Sequence, residues 1–239
     1  MKKMRILGLI GGTSWHSTVE YYASINQSVN EYFGDNTNPP LLLFNLNQSL
    51  VHKYQRDGEW EKIAHLVIDG GKRLQKAGAE AIIFCANTPH KIFEIAEGEL
   101  NIPILHIADA TSKMILESGI EKVCFLGTKF SMEEDFVTGR ISKNNIKVLT
   151  PTDHFVIEEL HRIIQKELTF GKVVPSSKSF VLESIKTMTD LGAEGVVLGC
   201  TEFPLMIREE DLDFPIFNTT KIHSKAATEY ILNIADNFN

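Results

Sequence analysis

Short apolar runs alternate with longer amphipathic stretches along the 239 residues of the chain. The runs are too short for helices and are typical of buried parallel strands, whereas the stretches between them carry apolar residues every three or four positions, as helices do. The predicted strands are 5–10, 41–46, 81–84, 104–107, 122–126, 147–149, 196–198 and 216–217. Ser131 and Glu134 have the spacing of a capping box, which predicts a helix capped by Ser131. The alternation predicts an α/β fold of parallel sheets flanked by helices on both faces.

The pattern occurs twice, which indicates an internal duplication. Three motifs recur in order and at nearly constant separations: Gly12-Thr13 with Gly127-Thr128, Gly78-Ala79-Glu80 with Gly192-Ala193-Glu194, and Pro103-Ile104 with Pro215-Ile216. We therefore expect two similar α/β lobes related by pseudo-twofold symmetry, one formed by residues 1–112 plus 214–239 and one by residues 113–213. Because parallel sheets bind ligands at the carboxyl ends of their strands, we expect the active site between the lobes.

Two cysteines follow predicted strands in the two halves. Cys85 follows strand 81–84 in the motif CANTPH, and Cys200 follows strand 196–198 in GCTEFP. Two thiols on opposite walls of a cleft would allow one to take a proton from a carbon atom while the other returns one to the opposite face, which is racemisation without a cofactor. A thiol suits this chemistry because its ordinary pKa, about 8.5, lies near working pH and falls at helix N-termini. The alternative is that each cysteine is a small buried apolar residue, as most free cysteines are.

Hydrogen-bond donors accompany both cysteines. Asn87, Thr88, Thr201 and the glycine-rich turn 11–14, which includes Ser14, offer donors to a substrate carboxylate and to the charge that builds on it. His90 is interpreted as a loop histidine that satisfies local backbone groups rather than as a base or a ligand. The glycines of the first turn lack the G-x-G-x-x-G spacing, which argues against a dinucleotide site.

Composition narrows the classes of partner. The formal charge is −7 and the lysines and arginines are scattered, which argues against nucleic-acid binding, and no apolar run is long enough to span a membrane. Three distant cysteines without C-x-x-C spacing argue against a disulfide framework or a zinc site and favour a reducing compartment. We expect a cytoplasmic protein that binds a small molecule and holds no metal.

The motifs GGTSWHST, YQRDGEWE, CANTPH, GTKFSMEEDF, IIQKELTFGK and GCTEFP resemble those of the aspartate/glutamate racemase family, in particular its bacterial aspartate racemase and broad-specificity amino-acid racemase branch. The resemblance covers nearly the whole chain. It implies two α/β lobes, a homodimer, no pyridoxal phosphate or other cofactor, no metal, and an acidic amino acid held between the two cysteine loops. The positions that match family substrate contacts are Thr13, Gln55, Asn87, Thr88 and Thr201, and candidates for the distal carboxylate of the substrate are Arg56 and Lys172.

The chain departs from the family pattern at two places. The first catalytic cysteine of the family stands directly before Asn-Thr, where this chain has Ala86, and the internal repeat also aligns Cys200 with Ala86. Two mechanisms therefore stay open: a bulged loop that brings Cys85 back to the substrate, or a one-sided site in which Cys200 alone is the base. The family's Asp-Thr pair near the end of the chain is Asn218-Thr219 here.

These features predict a cofactor-independent racemase that interconverts L- and D-aspartate, or glutamate, by moving the α-proton with cysteine. Two alternatives remain. One is a decarboxylase of the same superfamily, which keeps only the Gly-Cys-Thr cysteine. The other is an amino-acid-binding protein that has lost the chemistry.

Overall fold

The computed structural model describes residues 3–234. Its first part forms a sheet with helices packed on both faces. The elements are β1 (Leu7–Gly11), α1 (Trp15–Phe33), β2 (Leu41–Asn45), α2 (Gln48–Arg56), α3 (Trp60–Lys76), β3 (Ala81–Phe84), α4 (Phe93–Glu99) and β4 (Ile104–Leu105). All strand pairs are parallel, in the order β2-β1-β3-β4.

The second part repeats this arrangement. Its elements are α5 (Ile107–Glu117), β5 (Lys122–Gly127), α6 (Lys129–Glu133), α7 (Asp135–Ser142), β6 (Lys147–Leu149), α8 (His154–Lys166), α9 (Pro175–Asp190), β7 (Gly195–Gly199), β8 (Ile216–Asn218) and the start of α10 (Thr219–Leu232). The strands are again parallel, in the order β6-β5-β7-β8. The predicted α/β fold with two like parallel sheets is confirmed.

The chain divides into two compact units. The first holds the described residues up to His106 and those from His223 onward, and the second is Ile107–Ile222. The predicted boundary after residue 213 is corrected, because β8 hydrogen-bonds to β7 and so belongs to the second sheet. The predicted boundary after residue 112 falls inside α5, whose Ala108 and Ile115 pack in the core of the second unit.

Alternating side chains of β3 show how the first sheet is buried on both faces. Ile82 and Phe84 pack in the apolar cluster that contains α3, whereas Ala81 and Ile83 pack in the cluster that contains α1. This burial on both faces explains why the strands of the sequence are continuous apolar runs.

In each unit the strand order changes direction between the two central strands, β1 and β3 in the first unit and β5 and β7 in the second. The chain runs from β1 to β2 on one side, and β3 then lies on the other side of β1; β5, β6 and β7 repeat the pattern. Such a switch point leaves a crevice at the carboxyl ends of the two central strands, where α/β sheets bind ligands. The site residues should therefore follow β1 and β3 in the first unit, and β5 and β7 in the second.

Candidate active site

The turn after β1 is built around a glycine that no other residue could replace without strain. Gly12 has a φ of +83°, and a Cβ placed on it would lie 2.2 Å from the carbonyl oxygen of Leu46. The hydroxyl of Thr18 accepts a hydrogen bond from the Gly12 amide and donates one to the carbonyl of Ser14, both at 3.0 Å. Ser14 is the N-cap of α1. These contacts fix the turn against the first turn of the helix.

Thr13 is the residue of this turn that remains available to a ligand. Its side chain is buried, yet among residues 3–234 its Oγ1 has no hydrogen-bond partner. An unsatisfied buried hydroxyl costs about 1–3 kcal/mol, a cost that a bound ligand or water removes. The matching residue of the second unit, Thr128, instead uses its hydroxyl to cap α6 by accepting from the amide of Ser131. The hydroxyl of Thr13 thus has no role in capping a helix, unlike that of Thr128.

Helix α2 brings a histidine side chain to the same turn. The Nε2 atom of His52 lies 3.2 Å from the carbonyl oxygen of Thr13, and since a carbonyl only accepts, Nε2 carries the hydrogen. Gln55, about one turn further along the helix, is buried, whereas His52 is partly buried. Arg56, the next residue, is exposed.

The loop after β3 turns its cysteine inward. Cys85 continues the alternation of Ala81 and Ile83, is fully buried and packs in the same apolar cluster. Burial raises the pKa of the Cys85 thiol well above its ordinary range, because the thiolate would lose its hydration there. The next residue, Ala86, is partly exposed. The prediction that Cys85 is catalytic remains a prediction, and its surroundings favour the one-sided alternative.

His90 holds the polar part of this loop in place. Its Nδ1 atom lies 3.1 Å from the carbonyl oxygens of both Ala86 and Asn87, so Nδ1 carries a hydrogen and donates to them. This is the local backbone role expected from the sequence. Asn87 and Thr88, which precede it, are both buried.

The loop after β7 holds a compact group of three polar side chains. The Sγ atom of Cys200 donates to Oε2 of Glu202 at 2.9 Å, and the hydroxyl of Thr201 donates to the same oxygen at 3.0 Å. All three residues are at most 6% exposed. Burial first, and then the charge and the hydrogen bond of Glu202, raise the pKa of the Cys200 thiol well above its ordinary value. Backbone hydrogen bonds from Thr201 and Glu202 act in the opposite sense.

Sequence reasoning left Glu202 out of the predicted site. The signal that could have found it is its position two residues after Cys200, within a tight turn that lets both side chains meet. The structure brings Cys200, Thr201 and Glu202 together, whereas Lys172, in the loop before α9, is exposed.

Residues at the end of β8 form hydrogen bonds that hold β7, the strand before the Cys200 loop, against the start of α10. The hydroxyl of Thr219 donates to the carbonyl of Leu198 at 2.8 Å, which ties β7 to the start of α10. The amide oxygen of Asn218 accepts from the backbone N–H groups of Thr220 and Lys221, at 3.0 and 3.1 Å, and so caps α10. An asparagine oxygen and an aspartate oxygen serve equally in such a cap, so the departure at residue 218 leaves the helix start intact.

A cavity and two further observations concern what the described residues could bind. A cavity of about 480 Å³ in the second unit is lined by residues such as Pro204, Ile207 and Asn218, but neither Cys200 nor Thr201 lines it. Within residues 3–234, no group of three histidine, cysteine or acidic side chains is arranged to hold a metal ion. No helix of that range is both long and apolar enough to cross a membrane.

Comparison with known proteins gives matches over almost the whole chain. Residues 10–227 match the model of the Asp/Glu/Hydantoin racemase family. The crystal structure of a candidate Asp/Glu racemase from Yersinia pestis is 40% identical, with a TM-score of 0.88 over 96% of this chain and 100% of that one. An aspartate racemase homologue from Pyrococcus horikoshii OT3 is 37% identical, with a TM-score of 0.79 over 96% and 98%. The broad specificity amino-acid racemase RacX of Bacillus subtilis is 20% identical over 95% of this chain and 98% of RacX.

The fold, the cysteine loops and these matches define an amino-acid racemase, which is an isomerase. The chain belongs to the Asp/Glu/Hydantoin racemase family. The resemblance noted from the sequence motifs is thereby confirmed, and enzymes of this family typically work without pyridoxal phosphate.

Proposed function

We propose that this enzyme interconverts the L and D forms of an acidic amino acid, aspartate or glutamate, without a cofactor, and that Cys200 moves the α-proton. The observation that carries the proposal is the Cys200 thiol, which stands at the carboxyl end of β7 within hydrogen-bond distance of a buried carboxylate. Two relatives of 40% and 37% identity, described as an Asp/Glu racemase candidate and an aspartate racemase homologue, support an acidic substrate.

The substrate carboxylate is bound, in this proposal, by Thr13, Ser14, Asn87, Thr88 and Thr201, with Gln55 beside them. The unpaired hydroxyl of Thr13 supports this assignment. Arg56 and Lys172 are proposed to bind the distal carboxylate of the substrate. Both carry long, positively charged and exposed side chains, which could form an ion pair with that carboxylate. The enzyme is proposed to be a homodimer. All three cysteines are unpaired, which supports a reducing compartment such as the cytoplasm.

The burial of Cys85 supports a one-sided mechanism. Cys200 removes the proton from one face of the α-carbon, and the proton that reaches the other face comes from water or from a weaker donor near Asn87 and Thr88. The same observation also supports a second candidate function, the decarboxylation of a malonate. That reaction needs one thiol that is protonated at rest, and the Cys200 thiol donates its hydrogen to Glu202.

Deuterium exchange at the α-carbon tests the proposal. In heavy water the wild type should exchange aspartate or glutamate, and Cys200→Ser should slow exchange by at least about 100-fold, because general acid–base groups contribute 10²–10⁴-fold. Retention of the wild-type rate by a folded Cys200→Ser variant would remove Cys200 from the mechanism. Release of carbon dioxide from a malonate without exchange would select the decarboxylase, and absence of both reactions would select a binding protein.

A further inference from the structure

Glu202 is the acceptor that the Cys200 thiol reaches. The S–H group donates to Oε2 at 2.9 Å, and Thr201 donates to the same oxygen at 3.0 Å, which fixes the carboxylate beside the thiol. Cys200 and Glu202 are 6% and 5% exposed, so bulk water has little access to either group. A proton that leaves Sγ therefore has a short path to Oε2 and a poor path to solvent.

A thiol must lose its proton before it can act as a base, because the thiolate is the reactive form. Loss of that proton to water would leave two negative charges in a buried site, beside the carboxylate of the substrate, which like-charge repulsion disfavours. Transfer from Sγ to Oε2 creates the thiolate without changing the net charge of the pair. Until the α-proton is taken, the pair therefore holds one proton and one negative charge.

Resting on the proposed function, we propose that Glu202 is a catalytic residue that takes the thiol proton from Cys200 and releases it once the α-carbon has been protonated again. The S–H bond breaks as an O–H bond forms at Oε2. The thiolate then takes the α-proton: the Cα–H bond breaks, a new S–H bond forms, and the electron pair stays on the substrate, delocalised into its carboxylate. If the S–H group returns its proton to the same face, the Oε2 proton moves to sulfur and the starting pair is restored without inversion. If a water molecule protonates the opposite face, the hydroxide that it leaves takes the Oε2 proton, sulfur keeps the α-proton, and the starting pair is restored with inversion.

Glu202 could act on Cys200 as a proton acceptor or only through its negative charge, and the two roles predict opposite effects of removing the charge. Because that charge raises the pKa of the thiol, its removal makes the thiol easier to ionise. If Glu202 only hindered ionisation, Glu202→Gln would exchange substrate faster. As the proton acceptor, Glu202 is required, and Glu202→Gln exchanges substrate more slowly although its thiolate is more abundant.

Two rates measured on the same variants test the proposal. The first is alkylation of Cys200 by iodoacetamide at neutral pH, located by peptide mass, since Cys85 and Cys124 are fully buried. The second is deuterium exchange at the α-carbon of aspartate and glutamate. For Glu202→Gln we expect alkylation at least about twofold faster and exchange at least about 100-fold slower. Glu202→Asp should recover part of the exchange, and Glu209→Gln, at an exposed acid of the same unit, should change neither rate.

The outcomes are distinct. Exchange by Glu202→Gln at or above the wild-type rate would overturn the role of Glu202 while leaving the proposed function intact. A wild-type enzyme that exchanges no amino acid would refute the proposed function. The alkylation rates alone would then show whether Glu202 controls ionisation of the Cys200 thiol. Equal alkylation of wild type and Glu202→Gln would overturn the pairing, and faster alkylation of the variant would support it.

Discussion

Cys85 follows β3 and Cys200 follows β7, which hold equivalent places in the two sheets. Their side chains nevertheless have different surroundings. Counted from the repeated Gly-Ala-Glu motif, the counterpart of Cys85 is Gly199, and the counterpart of Cys200 is Ala86. A Cβ on Gly199 would lie 2.0 Å from a ring carbon of Phe125, so an aromatic ring fills the space beside it. Cys85 occupies the core of its unit, and the partly exposed position after it is an alanine.

This difference predicts that Cys85 contributes to stability and not to the proton path. Cys85→Ser would bury a hydroxyl among apolar side chains and should lower the free energy of unfolding by about 1–3 kcal/mol. Exchange of the faster enantiomer should stay within about twofold of wild type. Ala86→Cys should speed exchange of the slower enantiomer, because it places a thiol at the position that matches Cys200.

Urea denaturation and exchange of each enantiomer in heavy water are the measurements. Cys124→Ser is the matched control, because Cys124 is equally buried in the core of the second unit and should show a similar stability loss with unchanged exchange. If a folded Cys85→Ser variant lost exchange of one enantiomer, Cys85 would be the second base and the one-sided mechanism would be wrong.

Among the elements, strands were the most predictable. β3 and β6 have the bounds expected from the sequence. The four residues of β3 form an apolar run that is fully buried, as is typical of a central parallel strand. The expected cap at Ser131 is wrong: α6 begins at Lys129 and Thr128 is its N-cap. Ser, Thr and Asp all cap helices, so spacing alone could not choose between two hydroxyl residues three positions apart.

The site was less predictable than the fold. Spacing and motif placed Cys200, Thr201 and Thr13 at strand ends, where they lie. The bond between Cys200 and Glu202 depends on how the turn after β7 folds its side chains, which no periodic pattern reports. The inward direction of Cys85 could be argued from strand alternation, but a bulge would have reversed it.

The turn after β1 gives a prediction at this scale. Gly12→Ala should lower the free energy of unfolding by more than about 2 kcal/mol, because the new methyl group would meet the Leu46 carbonyl and the residue would be forced into the left-handed region. Gly34→Ala is the matched control: Gly34 has a similar φ of +71°, but no atom lies within 4 Å of its added Cβ. It should cost only about 1–2 kcal/mol.

Urea midpoints of the two variants measure the difference, and exchange of aspartate shows its effect on the site. Gly12→Ala should also lose exchange, since displacement of the turn moves Thr13 and Ser14. Equal midpoints for the two variants would mean that the close approach to Leu46 does not constrain the turn.

At the scale of the whole molecule, the two units have equivalent strand orders but different buried polar groups. The first unit contains a fully buried histidine, His223, whose Nε2–H donates to the carbonyl of Leu105 at 3.0 Å. Its other nitrogen, Nδ1, lies 2.9 Å from the hydroxyl of Tyr21 and accepts from it. The ring is therefore held in its neutral form, with no site left for a second proton.

This arrangement predicts how stability depends on pH. Burial lowers the pKa of His223 from 6.5 to about 4. Since the unfolded chain binds the proton at higher pH than the folded chain, protonation favours unfolding. The contribution is complete above pH 6.5 and is lost as the pH falls towards 4. It amounts to about 3 kcal/mol, because one pKa unit corresponds to about 1.4 kcal/mol.

Urea denaturation between pH 7 and pH 4 measures this loss. His223→Gln keeps a donor and an acceptor but cannot bind a proton, so its stability should be lower at pH 7 and should fall about 3 kcal/mol less than that of the wild type over the same range. His154→Gln is the control, because the side chain of His154 is 74% exposed and its replacement should leave the slope unchanged. If His223→Gln and the wild type lose the same stability on acidification, His223 is protonated in the folded protein at the same pH as in the unfolded chain, and the constraint inferred from Tyr21 and Leu105 does not hold.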